Sequence, residues 1–239
     1  MTEQSIIPVL QLMKLEAVQT VVHDLRTPMT VIKGYLQLLL SGVMGEMSAE
    51  HKMLIERSVG PLDDLILMTE NLLQAATLEK DNLKMNFVET DLDKLLAEII
   101  EFYQLPFKQR GMRISRNGNT VGLKISVDPF WVKRVFHNLV WNAFKFTPDH
   151  GQVTLEVSHR SQGIDLMVQD TGRGITPDKL DVIFEKFQQA DHQDKKLGTG
   201  LGLWICKRVM QLHEGSIRAE STKGQGSRFI LSFPVSCIL

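Results

Sequence analysis

The stretch Leu15–Leu40, LEAVQTVVHDLRTPMTVIKGYLQLLL, places apolar residues at Leu15, Val18, Val22, Leu25, Met29, Ile32, Leu36 and Leu39. Steps of three and four alternate without a gap, which is the seam of a long helix packed lengthwise on other helices. Ser41-Gly42-Val43-Met44-Gly45 interrupts the pattern, and Ser48 then offers an N-cap for a second helix. A second seam follows at Ile55, Ser58, Leu62, Leu65, Thr69, Leu72 and Ala76. Two helices joined by a short loop form an antiparallel hairpin. Such a hairpin leaves part of each stripe open, and pairing two copies into a four-helix bundle covers it, so the seams predict a homodimer. Packing of the hairpin on its own C-terminal half is the alternative.

After Asp81-Asn82 the texture changes. Strands are expected over Met85–Glu89, Arg113–Asn117 and Thr120–Val127, with helices over Asp91–Arg110 and Pro129–Phe146. Gln152–Arg160 and Gly163–Gln169 read as an alternating hairpin around Ser161-Gln162-Gly163. A short helix after Pro177, a polar stretch from Gln188, a helix ending near His213 and two closing strands complete an α/β sandwich of mixed strand order, helices on one sheet face. The expected division is 1–80 for the hairpin and 81–239 for the sandwich.

The chain has 239 residues, 43% hydrophobic and 23% charged, with 17 glycines and 8 prolines, which excludes disordered and collagen-like classes. With 27 basic and 28 acidic residues the net charge is −1, so bulk charge provides no hold on nucleic acid or an anionic membrane. Cys206 and Cys237 lie in apolar surroundings without metal-site spacing and read as buried free thiols of a reducing, cytoplasmic compartment. No apolar run approaches the ~20 residues of a membrane span. The N-terminus lacks the basic region of a signal peptide.

His23 follows the seam residue Val22 and is therefore turned about 100° away from the packed stripe, toward solvent. A neutral imidazole is a competent nucleophile near neutral pH, and the adjacent Asp24 carboxylate can orient the ring and take its proton. Pro28 cannot donate to the Asp24 carbonyl and is expected to bend the helix there. Further along, Asn138, Asn142 and Lys145 recur at i, i+4 and i+7, one face of a helix, where an amide oxygen suits Mg²⁺ and a lysine suits phosphate. Asp170-Thr171-Gly172-Arg173-Gly174 follows a strand, and a carboxylate there could accept an adenine amine while the glycines allow close backbone approach. Gly198-Thr199-Gly200-Leu201-Gly202 opens a helix, where free N–H groups bind phosphate; it is neither a dinucleotide fingerprint nor a P-loop.

Val22-His23-Asp24-Leu25-Arg26-Thr27-Pro28 resembles the H box of sensor histidine kinases. The three later motifs, in order, resemble the N, G1 and G2 boxes of the kinases' ATP-binding domain, a fold shared with Hsp90, gyrase and MutL-type ATPases. Ile183-Phe184-Glu185-Lys186-Phe187 resembles the F box, and Gly224-Gln225-Gly226-Ser227-Arg228-Phe229 the closing strand turn. The resemblance implies that His23 is autophosphorylated with Asp24 as base. Thr27 matches the position that, in kinases with phosphatase activity, helps hold the attacking water. It also implies that Asn142 binds Mg²⁺, that Asn138 and Lys145 contact the ATP phosphates, and that Asp170 reads adenine beside Gly172, Gly174 and Phe187. Gly198, Thr199, Gly200, Leu201 and Gly202 would frame the phosphates under a lid over 188–197, from which Lys195 or Lys196 reaches the γ-phosphate.

By this resemblance the phosphoryl group passes from His23 to an aspartate of a response regulator receiver domain, the two parts swinging about a hinge over 77–82. The alternative is a response-regulator phosphatase or phosphotransfer scaffold with a regulatory ATP domain. An ATP-driven clamp fits less well because such proteins lack the H box, and a DNA-binding module least, with no basic face or helix-turn-helix. The length is that of a bare kinase core, so either input arrives through another protein or the chain is the catalytic piece of a longer one.

Overall fold

A computed structural model describes residues 3–80, 83–188 and 199–239, with side chains of the first helix from Glu16 onward. The chain separates into two compact units: of the described residues, 3–80, 83 and 199–201 fall in the first, and 84–188 and 202–239 in the second.

The first unit is the hairpin. Helix α1 spans Glu3–Leu40 and α2 Ala49–Leu78, and Ser48 caps α2 by accepting the His51 N–H. Gly42 and Gly45 take φ of 77° and 108° in the connecting turn, a backbone that favours glycine. Helix α1 runs through Pro28, and α2 through Pro61, without interruption. Thr27 Oγ1 donates to the His23 carbonyl in that turn. Lys33–Asp63 at 2.7 Å and Arg26–Glu70 at 3.2 Å pair α1 with α2.

Only half of each expected seam is covered. Val22 and Leu62 are buried, while Leu25, Ile32, Leu65 and Leu72 remain 42–51% exposed. The reason is geometric: a helix with one neighbour can cover one row of a two-row stripe.

The second unit begins with strand β1, Val88–Asp91, later than the expected Met85–Glu89. It pairs antiparallel with β3, Lys124–Val127, as a separate two-stranded ribbon. β3 is shorter than expected because Gly118 and Gly122, both at positive φ, turn the chain and Thr120 is buried in a bond to Asp93. Asp91 caps helix α3, Leu92–Gln109, and Asp128 caps α4, Pro129–Phe146, with Pro129 in its first turn. β2 (Arg113–Asn117), β4 (Gln152–Arg160), β5 (Gly163–Asp170), β7 (Ser227–Pro234) and β6 (Ser216–Ser221) form a sheet in the order β2-β4-β5-β7-β6, with β2 parallel to β4 and the rest antiparallel. Short helix α5 is Pro177–Leu180 and α6 is Gly202–Leu212, opening at the last glycine of the glycine motif.

Helices α3, α4 and α6 pack on the sheet face that carries Val153, Leu155, Leu166, Val168, Phe229 and Leu231, all 5% exposed or less. β5 is buried on both faces rather than alternating. On its open face Asp165 is covered by Arg160 at 2.8 Å and by the Ser232 hydroxyl at 2.6 Å. Cys206 and Cys237 are free, buried thiols. No described helix is long and apolar enough to cross a membrane.

Candidate functional site

His23 stands on the solvent side of α1, its side chain 80% exposed, with Nδ1 3.3 Å from Asp24 Oδ1. A carboxylate only accepts, so this contact favours the proton on Nδ1 and leaves the Nε2 lone pair outward. Thr27 is exposed one turn on, its hydroxyl donating to the His23 carbonyl at 3.2 Å.

In the second unit α4 and β5 bring the expected nucleotide residues forward. Asp170 ends β5 and is 6% exposed. Its Oδ1 accepts the N–H of Gly172 at 2.8 Å and of Ser227 at 3.3 Å. Burial pushes its carboxyl above the usual range, against the two N–H bonds that pull it down. Its Oδ2 has no bond among the described residues and is the oxygen available to a ligand amine. The turn carrying it is tied to the end of α4, because the Arg173 N–H donates to the Phe146 carbonyl and the Arg173 guanidinium lies 4.5 Å over the Phe146 ring.

The glycines divide into two kinds. A Cβ on Gly172 would fall 2.6 Å from the Phe146 carbonyl, and one on Gly174 (φ 68°) 2.1 Å from the Thr222 carbonyl, so packing within the protein demands both. A Cβ on Gly202 would meet nothing nearer than 3.6 Å, on Asn138, an ordinary contact. That glycine keeps the backbone open without any atom of the described residues requiring it. Gly200 takes φ of 69°, and Thr199 Oγ1 accepts the Leu201 N–H at 3.2 Å in the turn before α6.

On α4, Asn142 and Lys145 are half-buried, whereas Asn138 is 6% exposed and its Nδ2 donates to the Gly202 carbonyl at 3.2 Å. Asn138 therefore joins the helix of the N-box motif to the start of α6. Phe187 is 67% exposed at φ 62°, unusual for a residue with a Cβ. The F-box segment before it is held to α6 by Glu185–Lys207 at 2.8 Å and by Lys186 4.5 Å over the Trp204 ring. Lys195, Lys196, Gly198 and most of the expected lid lie outside the described residues.

Sequence reasoning missed the support of Asp170. Ser227 supplies an N–H to it, and Ser221 Oγ lies 3.0 Å from Ser227 Oγ and accepts the Ile175 N–H at 2.8 Å. A Cβ on Gly226 would fall 2.0 Å from the Asp170 carbonyl, so the Gly226-Ser227 pair was the available sign. Among the described residues, no cluster of three His, Cys, Asp or Glu side chains is placed to hold a metal.

A helical hairpin with an exposed His–Asp pair, followed by a mixed sheet with the N motif on α4, the G1 motif at the end of β5 and the G2 motif at the start of α6, defines a histidine kinase catalytic core. Residues 13–81 match the family described as His Kinase A (phospho-acceptor) domain, and residues 127–236 match the Histidine kinase-, DNA gyrase B-, and HSP90-like ATPase family. The chain belongs to the histidine kinases. It is 33% identical over 218 residues to the adaptive-response sensory kinase SasA of Synechococcus sp. (strain JA-2-3B'a(2-13)), covering 90% of this chain and 57% of the relative. It is 34% identical over 228 residues to the phosphate regulon sensor protein PhoR of Pseudomonas aeruginosa, covering 94% and 51%. The chain thus spans about half the length of these relatives. Among solved structures, full-length ShkA in complex with AMPPNP matches 92% of this chain and 45% of its own, at TM-score 0.69 and 28% identity. The catalytic domain of histidine kinase ThkA matches 63% of this chain and 96% of its own, at TM-score 0.56 and 27% identity.

Proposed function

We propose that the chain is an ATP-dependent protein histidine kinase that phosphorylates itself on His23 and passes the phosphoryl group to an aspartate of a response regulator receiver domain. The observation that carries this reading is the exposed His23 ring, with Nδ1 on the Asp24 carboxylate and Nε2 outward. Residues 1–80 act as the dimerisation and phosphotransfer domain and 81–239 as the catalytic domain. The domains approach by rotation about 77–82, of which 81 and 82 lie outside the described residues.

Phosphoryl transfer asks mainly for positioning and charge neutralisation. Asp170 Oδ2 accepts the exocyclic amine of adenine, and Lys145 and the backbone at Gly202 receive the phosphates. Asn142 offers one amide oxygen, which fits Mg²⁺ bound chiefly by nucleotide phosphates and water; Mg²⁺ would supply charge neutralisation there. Nε2 of His23 attacks the γ-phosphorus in line, an N–P bond forms as the P–O bond to ADP breaks, and Asp24 accepts the Nδ1 proton. Homodimerisation is supported by the half-exposed row Leu25, Ile32, Leu65 and Leu72, which a second hairpin would cover.

The exposed Thr27, one turn from His23, supports a second activity of the same face, dephosphorylation of the receiver. Incubation with Mg-ATP tests the main reading. Wild-type chain is expected to gain acid-labile phosphate and His23→Gln none, while nucleotide affinity is retained; label on the Gln variant overturns the site. Phosphate loss from a receiver without any phosphoenzyme would favour the second activity.

A further inference from the structure

Helices α4 and α6 run antiparallel and are joined by three bonds between a side chain and the opposing backbone, spaced along their buried interface. At the nucleotide end Asn138 Nδ2 donates to the Gly202 carbonyl at 3.2 Å. In the middle Cys206 Sγ approaches the Val135 carbonyl at 3.8 Å. At the far end His213, 1% exposed, accepts the Asp128 N–H on Nε2 at 3.0 Å. Its other nitrogen, Nδ1, lies 2.8 Å from the Val209 carbonyl. A backbone N–H can only donate and a carbonyl only accept, so the ring is neutral with its proton on Nδ1.

The far end is also where the chain enters the domain. Asp128 Oδ1 caps α4 at the N–H groups of Phe130 and Trp131, while Oδ2 accepts the Asn86 N–H at 2.9 Å. Phe87 meets the His213 ring edge-on at 5.1 Å. The segment leading in from the hairpin is thus bonded to the same two residues that fix the far ends of α4 and α6.

We propose that Asp128 and His213 are positioning residues of the nucleotide site: they set the register of α4 against α6 and couple it to the entering segment at Asn86 and Phe87. This rests on the nucleotide reading of the Asn138–Gly202 end. α4 is a rigid rod, so loss of its anchor at Asp128 lets it pivot and displaces Asn138 from Gly202. The residues that receive phosphate then lose their spacing, and a change in how the entering segment lies is carried to the same place.

The test uses the full chain, binding of the non-hydrolysable analogue AMPPNP with Mg²⁺ by calorimetry, and the Asn138 side-chain amide resonance without nucleotide. Gln presents an acceptor where Nε2 lies, whereas Asn is too short to reach Asp128. His213→Asn is expected to weaken binding about tenfold, the scale of one buried N–H left unmet, and to shift the Asn138 amide. His213→Gln is expected to stay within about twofold. Phe87→Ala, which keeps every hydrogen bond, is expected to weaken binding about threefold and shift the same amide in the same direction. Leu95→Ala, a core truncation on α3, should lower Tm and move neither. If His213→Asn and Phe87→Ala lower Tm like Leu95→Ala while affinity and the amide stay at wild type, the proposal is overturned. A wild-type chain that binds no nucleotide sinks the nucleotide reading instead, and the Asn138 amide still reports on the coupling.

Discussion

Helices α1 and α4 both carry a strong apolar period, yet α1 leaves Leu25, Val31, Ile32 and Leu38 47–50% exposed while α4 holds Val132, Val135, Phe136, Leu139 and Val140 at 1% or less. The difference lies in the number of neighbours. α1 has α2 alongside it, whereas α4 contacts the sheet, α3 and α6. The sheet domain therefore closes its core within one chain, whereas the hairpin leaves much of its apolar stripe half-exposed. Stability should be independent of protein concentration in the first and dependent on it in the second.

The strongest way to break this contrast is truncation in the two helices. Phe136→Ala empties a fully buried site and is expected to cost about 3–5 kcal/mol in the sheet domain, the same at every protein concentration. Leu25→Ala removes a half-exposed side chain and should cost under about 1 kcal/mol in a lone hairpin, but about 2 kcal/mol or more where a second copy covers it. Chemical unfolding followed at two protein concentrations, with sedimentation of both variants, separates these cases. A Leu25 variant that stays neutral and fully associated removes Leu25 from any interface.

Local signals made much of the fold legible. The three-four spacing marks α1 and α2, Ser48 marks the start of α2, and Asp128 with Pro129 marks α4. What stayed hidden depends on residues far apart in sequence. β1 pairs with β3 rather than joining the main sheet, and β5 hides Asp165 and Met167 on its open face, Asp165 beneath Arg160. In the site, motifs marked Asp170 and Asn138, but not that Ser227, 57 residues on, holds the former or that the latter bonds Gly202. The glycines of the G1 motif suggested close approach of the backbone to a base; that Gly172 and Gly174 are also required by the carbonyls of Phe146 and Thr222 is seen only in the folded chain.

The next effect is expected at Asp170, where burial and binding pull in opposite directions. Burial raises its carboxyl, so the carboxylate is held at a cost to the fold above that raised value. Asp170→Asn keeps an oxygen for the Gly172 and Ser227 N–H groups while removing the charge. Thermal stability near neutral pH should be unchanged or higher, and AMPPNP affinity should fall about 10–100-fold as a charged acceptor is lost. Lower stability together with intact affinity would move adenine recognition away from Asp170.

Acid provides a smaller lever, again confined to the sheet domain. Burial lowers His213 and His137 from the ordinary value of 6.5, so each is more readily protonated in the unfolded chain. The unfolded state then binds more protons, and stability falls as pH drops below 6.5 toward the lowered values. His213→Gln, which does not titrate, should flatten that slope in part and leave the share due to His137. An unchanged slope in unfolding free energy between these pH values would mean that His213 is protonated in the fold.

The smallest effects contrast how each unit uses a cation. Arg110 donates to the Phe144 carbonyl at 2.5 Å and the Thr147 carbonyl at 2.9 Å, and pairs with Asp149 at 2.7 Å. Arg110→Ala leaves helix-end carbonyls unmet and should cost about 1–3 kcal/mol. Among the described residues Lys33 pairs with Asp63, both about one-third exposed, where water screens the charges and both side chains lose freedom in meeting. Lys33→Ala should cost about 0.5 kcal/mol and less in high salt. A cost near that of Arg110→Ala, and insensitive to salt, would mean that the Lys33–Asp63 pair is shielded from water in the assembled protein, which a second hairpin packed over this stretch of α1 would provide.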